Sequence, residues 1–121
     1  MAAGKILIVQ DDFLAAERLR ILLEQAGYLV VGVASRTVGA DELAERHRPD
    51  LAIVDMMLEV DVDGVHTATA LAQRHHVKIL ITTGFPDSTI EAAGVPQIAC
   101  AILKKPYSDQ DVLDAVARCL P

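Results

Sequence analysis

The chain has 121 residues, which is the usual size of one domain and leaves little room for a second. Hydrophobic residues make up 52% of it and charged residues 23%, a balance typical of a folded protein rather than a disordered one. The net charge of −6 argues against binding to nucleic acid, and no apolar run reaches the ~20 residues that span a bilayer.

Short aliphatic segments alternate with longer segments of helical periodicity along the whole chain. The aliphatic segments lack polar alternation, which is typical of strands buried on both faces of a parallel sheet. The predicted elements, in chain order, are strand 5–9, helix 12–26, strand 29–34, helix 38–47, strand 51–54, helix 65–75, strand 78–82, a short helix 88–93, strand 98–103 and helix 109–120. Because parallel strands are joined by right-handed crossovers, this pattern predicts one α/β three-layer sandwich over residues 1–121.

The first and last predicted helices carry the clearest local signals. The first has an apolar stripe and a stop signal at Gly27, where glycine can end a helix. Its stripe consists of Ala15, Leu19, Leu22, Leu23 and Ala26. The last helix can be capped by Ser108 or Asp109, because a short oxygen side chain satisfies the first unpaired N–H groups.

Polar side chains follow four of the five predicted strands. Asp11 and Asp12 come after the first strand, Asp55 after the third, Thr82 and Thr83 at the end of the fourth, and Lys104 and Lys105 at the end of the fifth. In open α/β sheets, ligands bind beyond the carboxyl ends of the strands, where the strand order reverses. If the strand order is 2-1-3-4-5, the three aspartates converge at one rim with a hydroxyl and an ammonium beside them.

This set of residue types indicates chemistry on a phosphoryl group. Three neighbouring carboxylates repel one another unless a cation lies among them, and their oxygen atoms suit Mg²⁺. Lysine offers a phosphoryl group a point charge, and threonine offers it a hydrogen-bond donor. A carboxylate can itself act as the nucleophile and form an acyl phosphate.

Five motifs in this order and spacing resemble the receiver domain of two-component response regulators. They are ILIVQDD at 6–12, LAIVDMML at 51–58, Asp-Gly at 63–64, ITTG at 81–84 and KKP at 104–106. The resemblance covers essentially the whole chain. It implies a flavodoxin-like fold with a five-stranded parallel sheet of order 2-1-3-4-5. It also implies transfer of a phosphoryl group from a histidine kinase or a histidine phosphotransfer protein.

The resemblance assigns roles to the polar residues one by one. Asp55 matches the phospho-acceptor, while Asp11 and Asp12 match the acidic pair that holds Mg²⁺ or Mn²⁺ together with Asp55. Met57 matches the position whose backbone carbonyl completes the metal shell. Thr83 matches the hydroxyl that binds the phosphoryl group, and Lys105 matches the lysine of the Lys-Pro pair. The family implies a cis bond between Lys105 and Pro106.

One position departs from the family pattern. Ile102 stands three residues before the lysine, where the family usually carries the tyrosine or phenylalanine of a rotamer switch. Residues 81–85 are instead similar to a subgroup with a Phe-Ala-Thr-Gly-Tyr-like motif. The resemblance implies that phosphorylation changes the face made by the fourth helix, the fifth strand and the last helix. Met57 and Phe85 flank the acceptor and are both apolar, so we expect slow loss of the phosphoryl group.

Other interpretations stay open at this point. Asp11 and Asp12 could cap the first helix, since aspartate is favoured there. The chain could be an Asp-nucleophile phosphohydrolase, although Asp55 is followed by Met56 and Met57 instead of the Asp-x-Asp pattern, and 121 residues leave no room for a cap. It could also be an interaction module with a vestigial pocket that works without phosphorylation. The sequence leaves open the kinase, the output and whether the chain forms a homodimer.

The remaining metal-ligating residue types suggest no further site. Residues 59–64 invite comparison with a calcium loop, but Ala70 stands where an EF-hand needs glutamate, so we expect a solvated acidic loop that turns at Gly64. The histidines His66, His75 and His76 lack partners at zinc-ligand spacing, and we expect them on the solvent side or at the end of the third helix. We expect Cys100 and Cys119 to be core thiols, which favours a reducing, cytoplasmic location.

Overall fold

The structure is a computed structural model that describes residues 4–57 and 64–121. Within these ranges the chain alternates between strands and helices, as the sequence predicts. The elements are β1 (Lys5–Val9), α1 (Phe13–Gln25), β2 (Leu29–Ala34), α2 (Thr37–His47), β3 (Leu51–Asp55), α3 (Gly64–His75), β4 (Lys78–Thr83), α4 (Asp87–Ala92), α5 (Val95–Ile98), β5 (Ala99–Lys104) and α6 (Asp109–Cys119).

The five strands form one parallel sheet in the order β2-β1-β3-β4-β5, which confirms the predicted fold. Every residue of β3 is buried, and β1 and β4 are buried beyond their first residues. The prediction of burial on both faces is wrong for the two edge strands: β2 exposes Leu29 and Val33, and β5 exposes Cys100. The reason is their position at the edges of the sheet, where the flanking helices cover them only in part.

Two apolar clusters pack the helices onto the two faces of the sheet. One joins the sheet to α1 and α6, with Leu19, Leu23 and Val116 among its buried members. The other joins it to α2, α3 and the short helices α4 and α5, with Leu71 and Ile90 among its buried members. This three-layer arrangement holds the carboxyl ends of β1, β3, β4 and β5 along one edge.

The two helices with local signals begin and end close to the predicted residues. Gly27 follows α1 with a φ of 97°, and the Ser108 hydroxyl accepts a hydrogen bond from the Asp111 amide at 3.0 Å to cap α6. The buried stripe of α1 differs from the predicted one. Ala16 is buried where Ala15 was expected, and Ala26 is exposed because it lies beyond the last helical turn.

The segment between β4 and β5 contains two short helices where the sequence predicts one. Pro96 lies in the first turn of α5, where its missing N–H leaves no hydrogen bond unmade. As a result β5 begins at Ala99, one residue later than predicted, and ends at Lys104.

The prediction that both cysteines are core thiols is wrong. Cys100 and Cys119 form a disulfide with their Cα atoms 5.5 Å apart, and Cys100 is exposed. The reason lies in the pairing of β5 with β4, which shifts by one residue because Ile79 pairs with Ala99 and Leu80 with Ala101. Cys100 is therefore the extra residue of a β-bulge, which redirects a side chain out of the strand alternation.

The histidines in and just after α3 differ in their surroundings. His66 and His76 are exposed, as expected, but the side chain of His75, the last residue of α3, is only 10% exposed. Its Nε2 atom lies 2.8 Å from Oδ1 of Asp41, so this pair joins α3 to α2. The predicted acidic loop at 59–63 lies outside the described residues.

Among residues 4–57 and 64–121, no helix is long and apolar enough to cross a membrane. The longest of these helices, α1, has 13 residues, and a membrane-spanning helix needs ~20.

Candidate functional site

The site is centred on Asp55, the last residue of the central strand β3. Its carboxylate is buried, with 7% of the side chain exposed. Strand pairing places it directly beside Thr82 on β4, whose hydroxyl lies 3.4 Å from Oδ1 of Asp55. Because an unpaired buried charge is strongly unfavourable, this position needs a cation close by.

Lys105 supplies that cation. Its Nζ atom lies 3.1 Å from each of the two carboxylate oxygens of Asp55. The neighbouring Lys104 points elsewhere and pairs with Asp87 at 2.8 Å on the exposed side of α4. The structure therefore brings together the predicted acceptor and the predicted lysine. The peptide bond between Lys105 and Pro106 is cis, as the resemblance implied.

The two threonines at the end of β4 have different partners. Thr83 is buried, and its hydroxyl oxygen accepts a hydrogen bond from the Phe85 amide at 3.0 Å. The carbonyl oxygen of Thr83 accepts another from the Lys105 amide at 2.8 Å. Thr83 thus connects the loop after β4 with the end of β5, whereas the Thr82 hydroxyl faces Asp55. The sequence could have suggested this contact of Thr82, because the pairing of β3 with β4 sets it.

A cavity of about 240 Å³ opens beside the acceptor. It is lined by Asp55, Met57, Thr83, Gly84, Phe85 and Lys105. Four of these residues were singled out from the sequence as acceptor, metal ligand, phosphoryl ligand and lysine. Met57 is 62% exposed at the mouth of the cavity, which leaves the acceptor accessible from solvent.

The other two aspartates lie at the same edge of the sheet but face different cavities. Asp12 caps α1, since its Oδ1 accepts hydrogen bonds from the Leu14 amide at 3.0 Å and the Ala15 amide at 3.2 Å. It lines a groove between α1 and the start of α6 that also reaches Lys105. Asp11 is half-buried and lines a smaller cavity toward β2.

The aspartates at this edge of the sheet are candidate ligands for a divalent cation. Among residues 4–57 and 64–121, no three His, Cys, Asp or Glu side chains form a group that could hold a metal ion. Mg²⁺, however, usually takes only one or two carboxylates and completes its octahedron with water and phosphate oxygens. Asp55 is the last residue of β3, and Asp12 lies three residues after the end of the neighbouring strand β1. Their hard oxygen donors fit that ion.

Gly64 fixes the backbone beneath the acceptor. Its amide donates to the Met56 carbonyl at 3.0 Å, and a Cβ atom there would overlap the carbonyl oxygen of Asp55. The sequence suggested a turn as the reason for this glycine. The structure shows a close approach of two backbones instead, which only glycine permits.

The pKa of Tyr107 depends on the charge of Asp55 as well as on burial. Burial raises the pKa of its hydroxyl, and the negative charge of Asp55 raises it further, against a smaller opposing effect of Arg18. Sequence reasoning missed this residue as a part of the site, because nothing in its position signals proximity to Asp55.

Comparison with known proteins identifies the family. The model of the response regulator receiver domain matches residues 6–117. The chain belongs to the response regulator receiver domain family. Its fold is similar to that of the signal receiver domain of a modulated diguanylate cyclase from Desulfovibrio desulfuricans G20, with a TM-score of 0.86 and 34% identity, covering 97% of this chain and 93% of that one.

Two curated relatives are regulators that are longer than this chain. The transcriptional regulatory protein PdtaR of Mycobacterium tuberculosis is 33% identical over 112 residues, which cover 93% of this chain and 54% of PdtaR. The phyllosphere-induced regulator PhyR of Methylorubrum extorquens is 28% identical over 119 residues, which cover 98% of this chain and 44% of PhyR. The receiver domain therefore spans about half the length of these relatives.

Proposed function

We propose that this receiver domain accepts a phosphoryl group on Asp55 from the phosphohistidine of a histidine kinase or a histidine phosphotransfer protein. The observation that carries the proposal is the buried Asp55 carboxylate, which lies 3.1 Å from the Lys105 ammonium through both oxygens and beside an open cavity. A carboxylate held in this way is an accessible nucleophile. The reaction breaks the donor's N–P bond and forms an O–P bond on Asp55.

The residues around Asp55 bind and orient the phosphoryl group. Lys105 already contacts the acceptor carboxylate and offsets negative charge on the transferred oxygens, while the Thr83 hydroxyl donates a hydrogen bond to one of them. Asp12 and Asp55 would hold Mg²⁺ or Mn²⁺ directly, with Asp11 acting through water and the Met57 carbonyl as a further ligand. The ion, when bound, supplies charge stabilisation for the transferred group.

Phosphorylation changes the surface through Thr83. If the Thr83 side chain rotates toward the phosphoryl group, its oxygen moves away from the Phe85 amide, and the loop that leads into α4 loses this hydrogen bond. The Lys105 amide links the same residue to β5. The signal is therefore a shift in population between two arrangements of α4, β5 and α6. Ile102 takes part through packing alone, because it is partly buried against the core cluster that also holds Ile90 of α4.

The phosphoryl donor has an apolar surface to contact beside the site. Phe13 and Leu14 directly follow Asp12, and their exposed fractions are 75% and 76%. Leu14 lines the groove that also reaches Lys105, so we expect a protein donor that brings its phosphohistidine to Asp55 to cover these side chains. Small donors such as acetyl phosphate do not need this contact.

The experiment is phosphorylation by acetyl phosphate in the presence of Mg²⁺, followed by intact mass measurement. We expect one phosphoryl group on the wild-type chain and none on Asp55→Asn. Asp87→Asn is the matched control, because this exposed carboxylate also pairs with a lysine at 2.8 Å and lies outside the acceptor cavity.

Three other results would contradict the proposal. Absence of labelling in the wild-type chain would favour an interaction module that works without phosphorylation. Equal labelling of Asp55→Asn would place the phosphoryl group on another residue. Release of many equivalents of phosphate per chain from small phosphate esters would favour a phosphohydrolase.

A further inference from the structure

The cysteine pair is a feature that phosphoryl transfer does not use. Cys100 lies near the start of β5 and Cys119 at the end of α6, and the disulfide between them spans 19 residues of sequence. Their Cα atoms are 5.5 Å apart, a separation at which the bond needs no backbone movement. The disulfide therefore ties α6 to the edge strand of the sheet.

The two cysteine residues differ in their exposure to solvent. Cys100 occupies the bulge of β5 and is exposed, whereas Cys119 is only 2% exposed within the core cluster of α1 and α6. A soluble thiol can approach the Cys100 side of the bond, while the protein shields the Cys119 side. Thiol–disulfide exchange at this bond should therefore begin by attack on the sulfur of Cys100.

We propose that Cys100 and Cys119 form a reversible redox site that controls how firmly α6 is held against β5. In the oxidised chain the covalent bond fixes the end of α6 to the sheet. In the reduced chain the end of α6 is held only by noncovalent contacts, among them the hydrogen bond from Lys78 Nζ to the Cys119 carbonyl at 3.0 Å.

The exchange reaction balances with a dithiol as the reductant. One thiolate of the dithiol attacks the Cys100 sulfur, the bond between the two cysteines breaks, and Cys119 leaves as a thiolate that takes up a proton. The second thiol of the reductant then displaces Cys100, which also ends as a thiol, and the reductant is oxidised to a cyclic disulfide. Two electrons pass from the dithiol to the protein.

The disulfide closes residues 100–119 into a loop, so the redox state affects the part of the chain that forms β5 and α6. It contains Ile102, Lys105 and the capped start of α6 at Ser108. A crosslink restricts the unfolded chain, and a loop of this length typically stabilises a protein enough to raise its melting temperature by roughly 10 °C. The reduced chain should therefore melt lower and open more often at the end of α6.

The first experiment tests the site itself on the full chain without denaturant. We expect the air-purified chain to take up no alkyl group from N-ethylmaleimide. After treatment with dithiothreitol it should take up one group rapidly at Cys100 and a second slowly at Cys119, as read by intact mass and peptide mapping. Oxidised glutathione should restore the bond. Two groups without reductant, or a bond that dithiothreitol opens only in urea, would overturn the proposal.

The second experiment tests the consequence by hydrogen exchange. Residues 112–119 of α6 should exchange about tenfold faster after reduction, whereas residues 65–72 of α3 serve as an internal reference that stays unchanged. Cys100→Ser should reproduce the reduced behaviour under all conditions, because it removes the exposed partner and leaves buried Cys119 in place. Equal exchange of α6 in both redox states would overturn the proposal.

The redox proposal can be tested separately from the proposed phosphorylation. Asp55→Asn should show the same response to dithiothreitol as the wild-type chain. Failure of the redox response in a chain that acetyl phosphate labels normally would reject the redox site alone, and the reverse result would reject the proposed acceptor alone.

Discussion

The Thr83 hydroxyl accepts a hydrogen bond from the Phe85 amide at 3.0 Å, two residues further along the chain. The residue proposed to bind the phosphoryl group therefore also holds the loop that leads into α4. A hydroxyl can accept one hydrogen bond and donate another, so the bond to this amide is lost only if the side chain rotates its oxygen toward the phosphoryl group. This rotation would give the site a direct route to the surface.

Thr83→Val should separate labelling from the change in the loop. Valine has nearly the shape of threonine but no hydroxyl, so we expect acetyl phosphate to label Asp55 about tenfold more slowly, and the Phe85 amide signal to stay unchanged on phosphorylation. Thr83→Ser is the control, because it keeps the hydroxyl and should keep the response. The measurement is a ¹H–¹⁵N correlation spectrum before and after labelling. A normal response of the Phe85 amide in Thr83→Val would contradict this route.

Lys105→Met should slow labelling roughly a hundredfold, because it removes the ammonium that offsets charge on the transferred group. Lys104→Met provides a matched control on the adjacent residue, whose ammonium binds Asp87 instead. It should label within about twofold of the wild-type rate. Rates come from intact mass over time with acetyl phosphate and Mg²⁺. Similar rates for both variants would remove Lys105 from the site.

Met57→Asn should shorten the lifetime of phosphorylated Asp55 about tenfold, because an amide at the mouth of the cavity can orient an attacking water molecule and a thioether cannot. Met57 is exposed and lines the acceptor cavity, so the substitution should leave the fold intact. Met57→Leu is the apolar control and should keep the wild-type lifetime. The measurement is loss of the phosphoryl mass after removal of acetyl phosphate.

Asp55→Asn should lower the pKa of Tyr107, because it removes the negative charge that adds to the effect of burial. The phenolate absorbance of each protein, followed during an alkaline titration in a Tyr28→Phe background, reports Tyr107 alone. Since the folded pKa of Tyr107 is raised, its contribution to stability is complete below the unfolded pKa of about 10 and is lost as the pH rises through the folded pKa. An unchanged pKa would show that Asp55 does not act on Tyr107.

His75→Leu should weaken the connection between α2 and α3 in a manner that depends on pH. The hydrogen bond from His75 is the largest cause of the lowered pKa of Asp41, with the charges of His75 and Arg74 adding to it. A lowered carboxyl pKa stabilises the fold above the unfolded value of about 3.9, and this is lost as the pH falls through the folded pKa. We expect about 0.5–1 kcal/mol at neutral pH, discounted because Asp41 is partly exposed.

Urea unfolding at neutral pH and near pH 3 checks this prediction. The difference between wild type and His75→Leu should shrink at the lower pH. Arg74→Met is the control, since its pair with Asp41 is longer, at 3.6 Å, and its side chain is 69% exposed. A larger effect of Arg74→Met than of His75→Leu would contradict the assignment.

The sequence by itself predicts the parallel α/β fold and much of the acceptor site. Aliphatic runs without polar alternation favour burial between two helical layers, and parallel strands bring their carboxyl ends to one edge. Asp55, Thr83 and Lys105 each follow such a run, so their meeting was predictable from local patterns. The family resemblance then singled out Lys105 over Lys104, and the structure brings Lys105 to Asp55.

Other features depend on register and packing, which no local pattern specifies. The exposure of Cys100 and its bond to Cys119 follow from a one-residue shift in the pairing of β5 with β4. Gly64 is needed because two backbones approach closely.

The tertiary structure also decides how the acidic residues divide their roles. Composition and charge identify an acidic domain of 121 residues that carries three aspartates after its first and third strands. Only the fold shows that the Asp12 carboxylate binds the first amides of α1 while the Asp55 carboxylate binds Lys105. The physical reason is that each charge takes the nearest compensating group, and distance in space, rather than in sequence, determines which group that is.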